Sequence, residues 1–81
     1  MKVVFTRKFT RDYHLISKEI QKKFDKQLTY LLKNFRHPSL KCKKYDEKRG
    51  IWQARIDRCY RFYFLIKGDT YILLGVRSHP K

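Results

Sequence analysis

Arg55, Arg61 and His79, with Tyr63 and Arg77 close by, are the residues of this chain whose types and spacing could do chemistry. A guanidinium binds phosphate through two parallel hydrogen bonds. A histidine titrates near neutral pH. RNA carries its own nucleophile, the 2′-hydroxyl. Cutting it takes a base, an acid and cations around the phosphate that gains charge. Arginines with one histidine could supply all three without a metal. Other chemistries are thinly represented. Acids near the basic strands are few, Asp46 and Glu47 in a polar turn and Asp57, which argues against two-metal cleavage. Three His and two Cys lie scattered without ligand spacing, so no metal site is expected. No nucleophile motif and no phosphate-cradling Gly loop is present, and no cofactor is expected. Cys42 and Cys59 read as small hydrophobes, His14 and His37 as helix-surface and helix-stop residues.

The charge balance narrows the partners. Twenty-one Lys and Arg stand against seven Asp and Glu in 81 residues, a formal net charge of +14. Such a surface attracts polyanions at long range: nucleic acid, a ribosome, an acidic protein or an anionic membrane surface. Ten of the basic residues fall between Lys33 and Arg61. No apolar run approaches the roughly 18–20 residues that span a bilayer. Met1 to Thr10 lacks the apolar core of a signal peptide, so a cytoplasmic address is the expectation. The length allows one domain, residues 1–81.

The elements that must position these residues follow from periodicity. Val3 to Thr6 reads as a strand. Phe9, Tyr13 and Ile16 line a short helix. Ser17 is an N-cap for a second, in which Ile20, Phe24, Leu28, Leu31 and Phe35 form one apolar stripe. His37-Pro38 stops it. The period then changes to two. Strands are predicted over Leu40–Tyr45, Ile51–Asp57, Tyr60–Ile66 and Thr70–Arg77, with a polar turn at Asp46–Gly50 and a hairpin at Lys67-Gly68-Asp69. The fold class is α+β: an N-terminal strand, two helices, then a four-strand antiparallel meander, with the helices on one face of one sheet. Alternation assigns Trp52, Ala54, Ile56, Phe62, Phe64, Ile66, Ile72, Leu74 and Val76 to the helix-covered face. Gln53, Arg55, Arg61, Tyr63, Leu65, Tyr71, Leu73 and Arg77, with His79 beyond, go to the opposite, solvent-facing side. That side mixes arginines with tyrosines and has no acid besides Asp57, the composition of a surface that grips phosphates and stacks bases.

Three segments carry a family resemblance. His37-Pro38-Ser39-Leu40-Lys41-Cys42-Lys43-Lys44 is similar to the post-helix strand of the RelE/ParE superfamily of type II toxins. Gly50-Ile51-Trp52-Gln53-Ala54-Arg55-Ile56-Asp57-Arg58-Cys59-Tyr60-Arg61 resembles its G-x-W-x-x-R hairpin ending in Y-R. Gly68 to His79 resembles its last strand. The resemblance implies a RelE-like toxin domain that acts as a ribosome-dependent, metal-independent mRNA endoribonuclease, neutralised by a cognate antitoxin. Its partners would be that antitoxin, the ribosome and mRNA, with no membrane and no small-molecule cofactor. Arg61 matches the arginine on the scissile phosphate, Arg55 a basic position on the neighbouring strand, and His79 the C-terminal catalytic position. Lys41, Lys43 and Lys44 match the basic strand, and Arg58, Arg77, Tyr63 and Gln53 complete the RNA- and ribosome-binding set. Gln53 stands where some members carry a basic residue, and Arg77 replaces the usual Gly two residues before the His. The superfamily also contains DNA gyrase inhibitors that cut no RNA. A gyrase poison or a catalytically weak RNA-binding relative is the alternative.

Overall fold

A computed structural model of the chain describes residues 1–78. The chain runs through β1 (Lys2–Phe5), α1 (Arg7–Leu15), α2 (Lys18–Lys33), a 3-10 turn (Pro38–Leu40), β2 (Lys43–Asp46), β3 (Ile51–Arg55), β4 (Tyr60–Lys67) and β5 (Thr70–Ser78). One five-stranded sheet has the order β1-β5-β4-β3-β2. The last four strands form the antiparallel meander, and β1 pairs in parallel with β5, Val3 opposite Tyr71 and Phe5 opposite Leu73.

Both helices begin where side-chain caps satisfy orphan N–H groups. Thr6 Oγ1 accepts from the Phe9 N–H (3.1 Å) and donates to the Leu73 carbonyl (2.8 Å), so one hydroxyl starts α1 and ties it to β5. Ser17 Oγ accepts from the Ile20 N–H. Apolar residues at helical spacing then face the sheet. Phe24 of α2 meets Phe62 of β4 edge to face at 5.2 Å and touches Phe9 of α1 at the same separation. Leu31, Leu40, Phe62, Phe64 and Leu73 are fully buried. Each contributes about 1.5–3 kcal/mol by leaving water.

Two turns rest on backbone freedom. Gly68 sits at φ 58 between Lys67 and Thr70, while Asp69 keeps a negative φ, the combination a type II′ hairpin demands. Gly50 closes the β2–β3 turn at φ 70. The basic strand expected from Leu40 is shorter than its alternation implied. Pro38 starts a 3-10 turn capped by His37, whose Nδ1 accepts the Ser39 N–H at 3.1 Å. Lys41 then turns left-handed (φ 46), and pairing begins only at Lys43.

The face assignment also needs correction in β5. Phe62 pairs with Val76 and Tyr63 with Gly75, but Phe64 pairs with Leu73, leaving Leu74 as one extra residue. This bulge shifts the alternation by one position. Tyr71 and Leu73, assigned to the open side, are buried in the core, while Ile72 and Leu74 are only half-buried. A second bulge, in β2, places Tyr45 and Asp46 together against Ile51.

Candidate functional site

Register brings the predicted arginines together. Arg55 of β3 is the Cα partner of Arg61 on β4, and Arg61 is the partner of Arg77 on β5. Three guanidinium-bearing residues thus occupy one cross-strand row. Like charges directly opposite one another destabilise a sheet. A row of three therefore concentrates positive charge at one end of the β3–β4–β5 meander.

Arg61, in the middle of the row, and Arg55, at its β3 end, are both held by the fold. Arg61 is only 9% exposed, and its Nη1 donates to the carbonyls of Asp57 (2.6 Å) and Tyr60 (3.0 Å). The solvent-facing position expected for it is therefore corrected: the closing β3–β4 hairpin curls over the side chain. Asp57 organises that hairpin. Its carboxylate accepts the N–H groups of Cys59 (2.8 Å) and Tyr60 (2.9 Å) and pairs with Lys23 of α2 at 3.3 Å. Burial raises the Asp57 pKa, but the two N–H donors and the Lys23 ammonium outweigh it and hold the carboxyl below its ordinary value. Arg55 is anchored through its backbone: Gln27, buried within α2, donates from Nε2 to the Arg55 carbonyl (2.7 Å) and the Ser39 carbonyl (3.0 Å), while its Oε1 accepts the Ser39 hydroxyl. The Arg55 Nε is buried and has no hydrogen-bond partner among the described residues. Buried donors left open are rare enough to need a reason.

Beside the row lies an open cleft of about 380 Å³. Its aromatic wall is Tyr45 and Tyr63, in edge-to-face contact at 4.8 Å. Ile51 and Leu74 add apolar surface, and Lys8, Arg49 and Arg77 supply charge from α1, the β2–β3 turn and β5. Burial, reinforced by Tyr45, raises the Tyr63 pKa against the opposing pull of Arg77 and Arg61, so its hydroxyl keeps its proton at neutral pH. Two acids the alternation did not place here also reach this region: Asp12 pairs with Lys8 at 2.8 Å and Asp46 with Arg49 at 3.7 Å. Asp12 also accepts the Val76 N–H at 2.9 Å, so α1 seals the edge of β5 beyond the end of β1.

The other sequence-predicted residues are dispersed. Gln53 shares a cross-strand row with Lys43 and Tyr63 but is buried. Lys43 is exposed on β2. Lys44 pairs with Trp52 and lays its ammonium over the indole at 4.6 Å, away from the arginine row, and Lys41 sits on the turn before β2. Arg58 is exposed at the hairpin tip. His79 lies outside the described residues. Cys42 and Cys59 are free thiols, and burial pushes the Cys42 thiol up to about 11. Among the described residues, no group of three His, Cys, Asp or Glu side chains is placed to hold a metal ion, and no helix is long and apolar enough to cross a membrane. Sequence reasoning missed Gln27, Asp12, Lys8, Tyr45 and Arg49. Gln27 had a signal: it falls within the apolar stripe between Phe24 and Leu31, where a polar residue needs buried partners.

Comparison with known proteins places the fold. A YoeB/ParE toxin from Agrobacterium tumefaciens superposes with a TM-score of 0.83 over 99% of this chain and 100% of its own, at 20% identity. The YoeB dimer from Staphylococcus aureus gives 0.80 at 18% identity, over 99% and 98% of the two chains. The toxin–antitoxin complex RelBE2 from Mycobacterium tuberculosis gives 0.76 at 22% identity, over 96% of each. No curated protein matches the sequence. The family model described as the ParE toxin of the type II toxin–antitoxin system parDE matches residues 3–81. With that match over nearly its whole length, the chain belongs to the ParE toxin family, within the RelE/ParE superfamily, and is a type II toxin–antitoxin toxin.

Proposed function

We propose that this toxin is a ribosome-dependent, metal-independent mRNA endoribonuclease that stops translation in the cytoplasm. The observation that carries the reading is the Arg55–Arg61–Arg77 row, which gathers three guanidinium-bearing residues beside the Tyr45–Tyr63 cleft. A scissile phosphate over this row would gain hydrogen bonds as it gains charge, which is how fixed donors accelerate phosphoryl chemistry. Attack of the 2′-oxygen on the adjacent phosphorus forms a 2′,3′-cyclic phosphate and expels the 5′-oxygen. One proton leaves the 2′-hydroxyl and one must reach the leaving oxygen. The reading assigns one of these transfers to His79, as general base or general acid. Arg61 and Arg55 steady the phosphate. Lys41, Lys43, Lys44, Arg58 and Arg77 contribute attraction to RNA or the ribosome, with Tyr63 and Gln53 beside the strand.

A cognate antitoxin is the second partner in this reading. Solved structures of similar fold include the YoeB–YefM complex from Staphylococcus aureus and RelBE2 from Mycobacterium tuberculosis. The net charge of +14 suits an acidic or amphipathic antitoxin segment lying over the same groove. Complex formation would then weaken with salt.

The ParE identity of the matching family model favours a second reading, inhibition of DNA gyrase without RNA cleavage. Translation in vitro with primer extension on the mRNA separates the two. Ribosome-dependent cuts that vanish with Arg61→Ala support the nuclease. Intact mRNA together with inhibited supercoiling by gyrase supports the alternative.

A further inference from the structure

The Tyr45–Tyr63 cleft sits at the end of the arginine row, with Arg77 belonging to both. Two independent irregularities of the sheet build it. Tyr45 lies at the bulge in β2 and Leu74 is the extra residue of the bulge in β5, and both side chains line the cleft. A bulge re-aims a side chain and interrupts pairing, so a sheet that carries two around one cavity has its walls set by them. The cavity volume, about 380 Å³, falls in the range of small-ligand sites.

We propose that this cleft is a nucleobase subsite, taking one unpaired RNA base next to a phosphate held at Arg77. Aromatic faces beside cations are what a base and its backbone require: stacking is tolerant of base identity, and the charge tracks the phosphates. Tyr45 is 54% exposed, open to a planar partner, while Tyr63 is held within β4. The Lys8–Asp12 and Arg49–Asp46 pairs have solvent-exposed cations, and such pairs are weak enough to yield to a phosphate. The subsite rests on the RNA reading of the arginine row for the identity of the polymer, but not on cleavage.

The test uses the full chain and trinucleotide RNAs blocked against cleavage by 2′-O-methyl groups, each with 2-aminopurine at one of the three positions. Stacking in the cleft quenches its fluorescence. The expected result is quenching at one position, with Tyr63→Leu abolishing it and weakening binding about ten-fold. Tyr45→Ala, at an exposed bulge, gives the same reading should Tyr63→Leu fail to fold by circular dichroism. No quenching at any position overturns the subsite, as does quenching that survives in the folded variants. Primer extension on translated mRNA reads the nuclease separately. Quenching without cuts rejects the nuclease and supports the subsite, whereas cuts without quenching reject the subsite alone.

Discussion

Arg61 Nη1 donates to the Asp57 carbonyl at 2.6 Å, a bond from one strand into the turn that precedes it. The guanidinium that the proposed mechanism needs is therefore also a brace of the β3–β4 hairpin. Function and stability meet in one side chain. Arg61→Ala should abolish growth arrest and also cost about 1.5–3 kcal/mol of unfolding free energy, the range for hydrogen bonds involving a charged group. Arg61→Lys restores charge but not the planar fork, so it should remain inactive. Urea denaturation beside a growth assay at matched expression checks both.

The Asp57 carboxylate holds the same hairpin from the opposite side. Its folded pKa lies below the ordinary value near 3.8. The stability it contributes is therefore present in full above the unfolded pKa and is lost as pH falls through the folded value. Unfolding followed from pH 6 down to pH 2 should show a decline beginning near the ordinary carboxylate range. In Asp57→Asn that decline should be shallower. Asp57→Ala should lose about 1–3 kcal/mol at neutral pH, since two turn N–H groups lose their acceptor.

Gln27 links α2 to the carbonyls of Ser39 and Arg55. Gln27→Leu keeps the packing volume roughly constant but strips the Ser39 and Arg55 carbonyls of a donor. A loss of about 1–3 kcal/mol is expected, from two lost hydrogen bonds at about 0.5–1.5 kcal/mol each. Because Gln27 positions Arg55, Gln27→Leu should lower the single-turnover cleavage rate with little change in RNA binding. A change confined to binding would contradict that role.

A Cβ at Gly75 would stand 2.9 Å from Asp12 Oδ2 and 3.0 Å from Lys8 Nζ. Asp12 is also committed to the Val76 N–H, so it cannot move without opening the α1–β5 contact. Gly75→Ala should cost about 1–3 kcal/mol, the usual range for overpacking. A truncation at Lys8 in the same chain should recover only the part due to the ammonium. Paired denaturation curves give the comparison.

Arg77 is exposed at the outer end of the row and makes no hydrogen bond within the described residues that would brace the fold. Arg77→Ala should leave stability within about 0.5 kcal/mol. RNA binding should weaken, and the slope of log K against log salt should fall by about 0.7, the value for one phosphate contact on a single strand. Titrations at several salt concentrations measure it.

Much of this architecture was legible in the chain. Ser17, the stripe from Ile20 to Leu31, and the turns at Gly50 and Gly68 each have a local cause, and each stands where periodicity put it, whereas Phe35, expected on the same stripe, lies beyond α2, which ends at Lys33. The arginine row was legible too, because Arg55 and Arg61 flank a short hairpin whose register the turn fixes. The lower half of β5 was not. A bulge is a tertiary choice, and nothing in Tyr71-Ile72-Leu73-Leu74 distinguishes one alternation from the other, since all four side chains suit a core. Nor does sequence say that Arg61 would be buried, because its partners are backbone carbonyls, which every residue possesses. The cleft escaped for a similar reason: Lys8, Tyr45 and Arg49 come from three separate elements that only the folded sheet brings together.

The pairing of β1 with β5 sets a timetable for the chain. Lys2 finds its partner in Thr70, and Phe5 in Leu73, so the first strand made waits for the last. Contacts this distant in sequence form late and slowly. Arg77, on the same final strand, closes the arginine row. Until β5 docks, the sheet lacks the strand that joins β1 to β4, and the row holds two arginines rather than three. Assembly of the site is therefore a late step of folding, taken after the β3–β4 hairpin has already set Arg55 opposite Arg61.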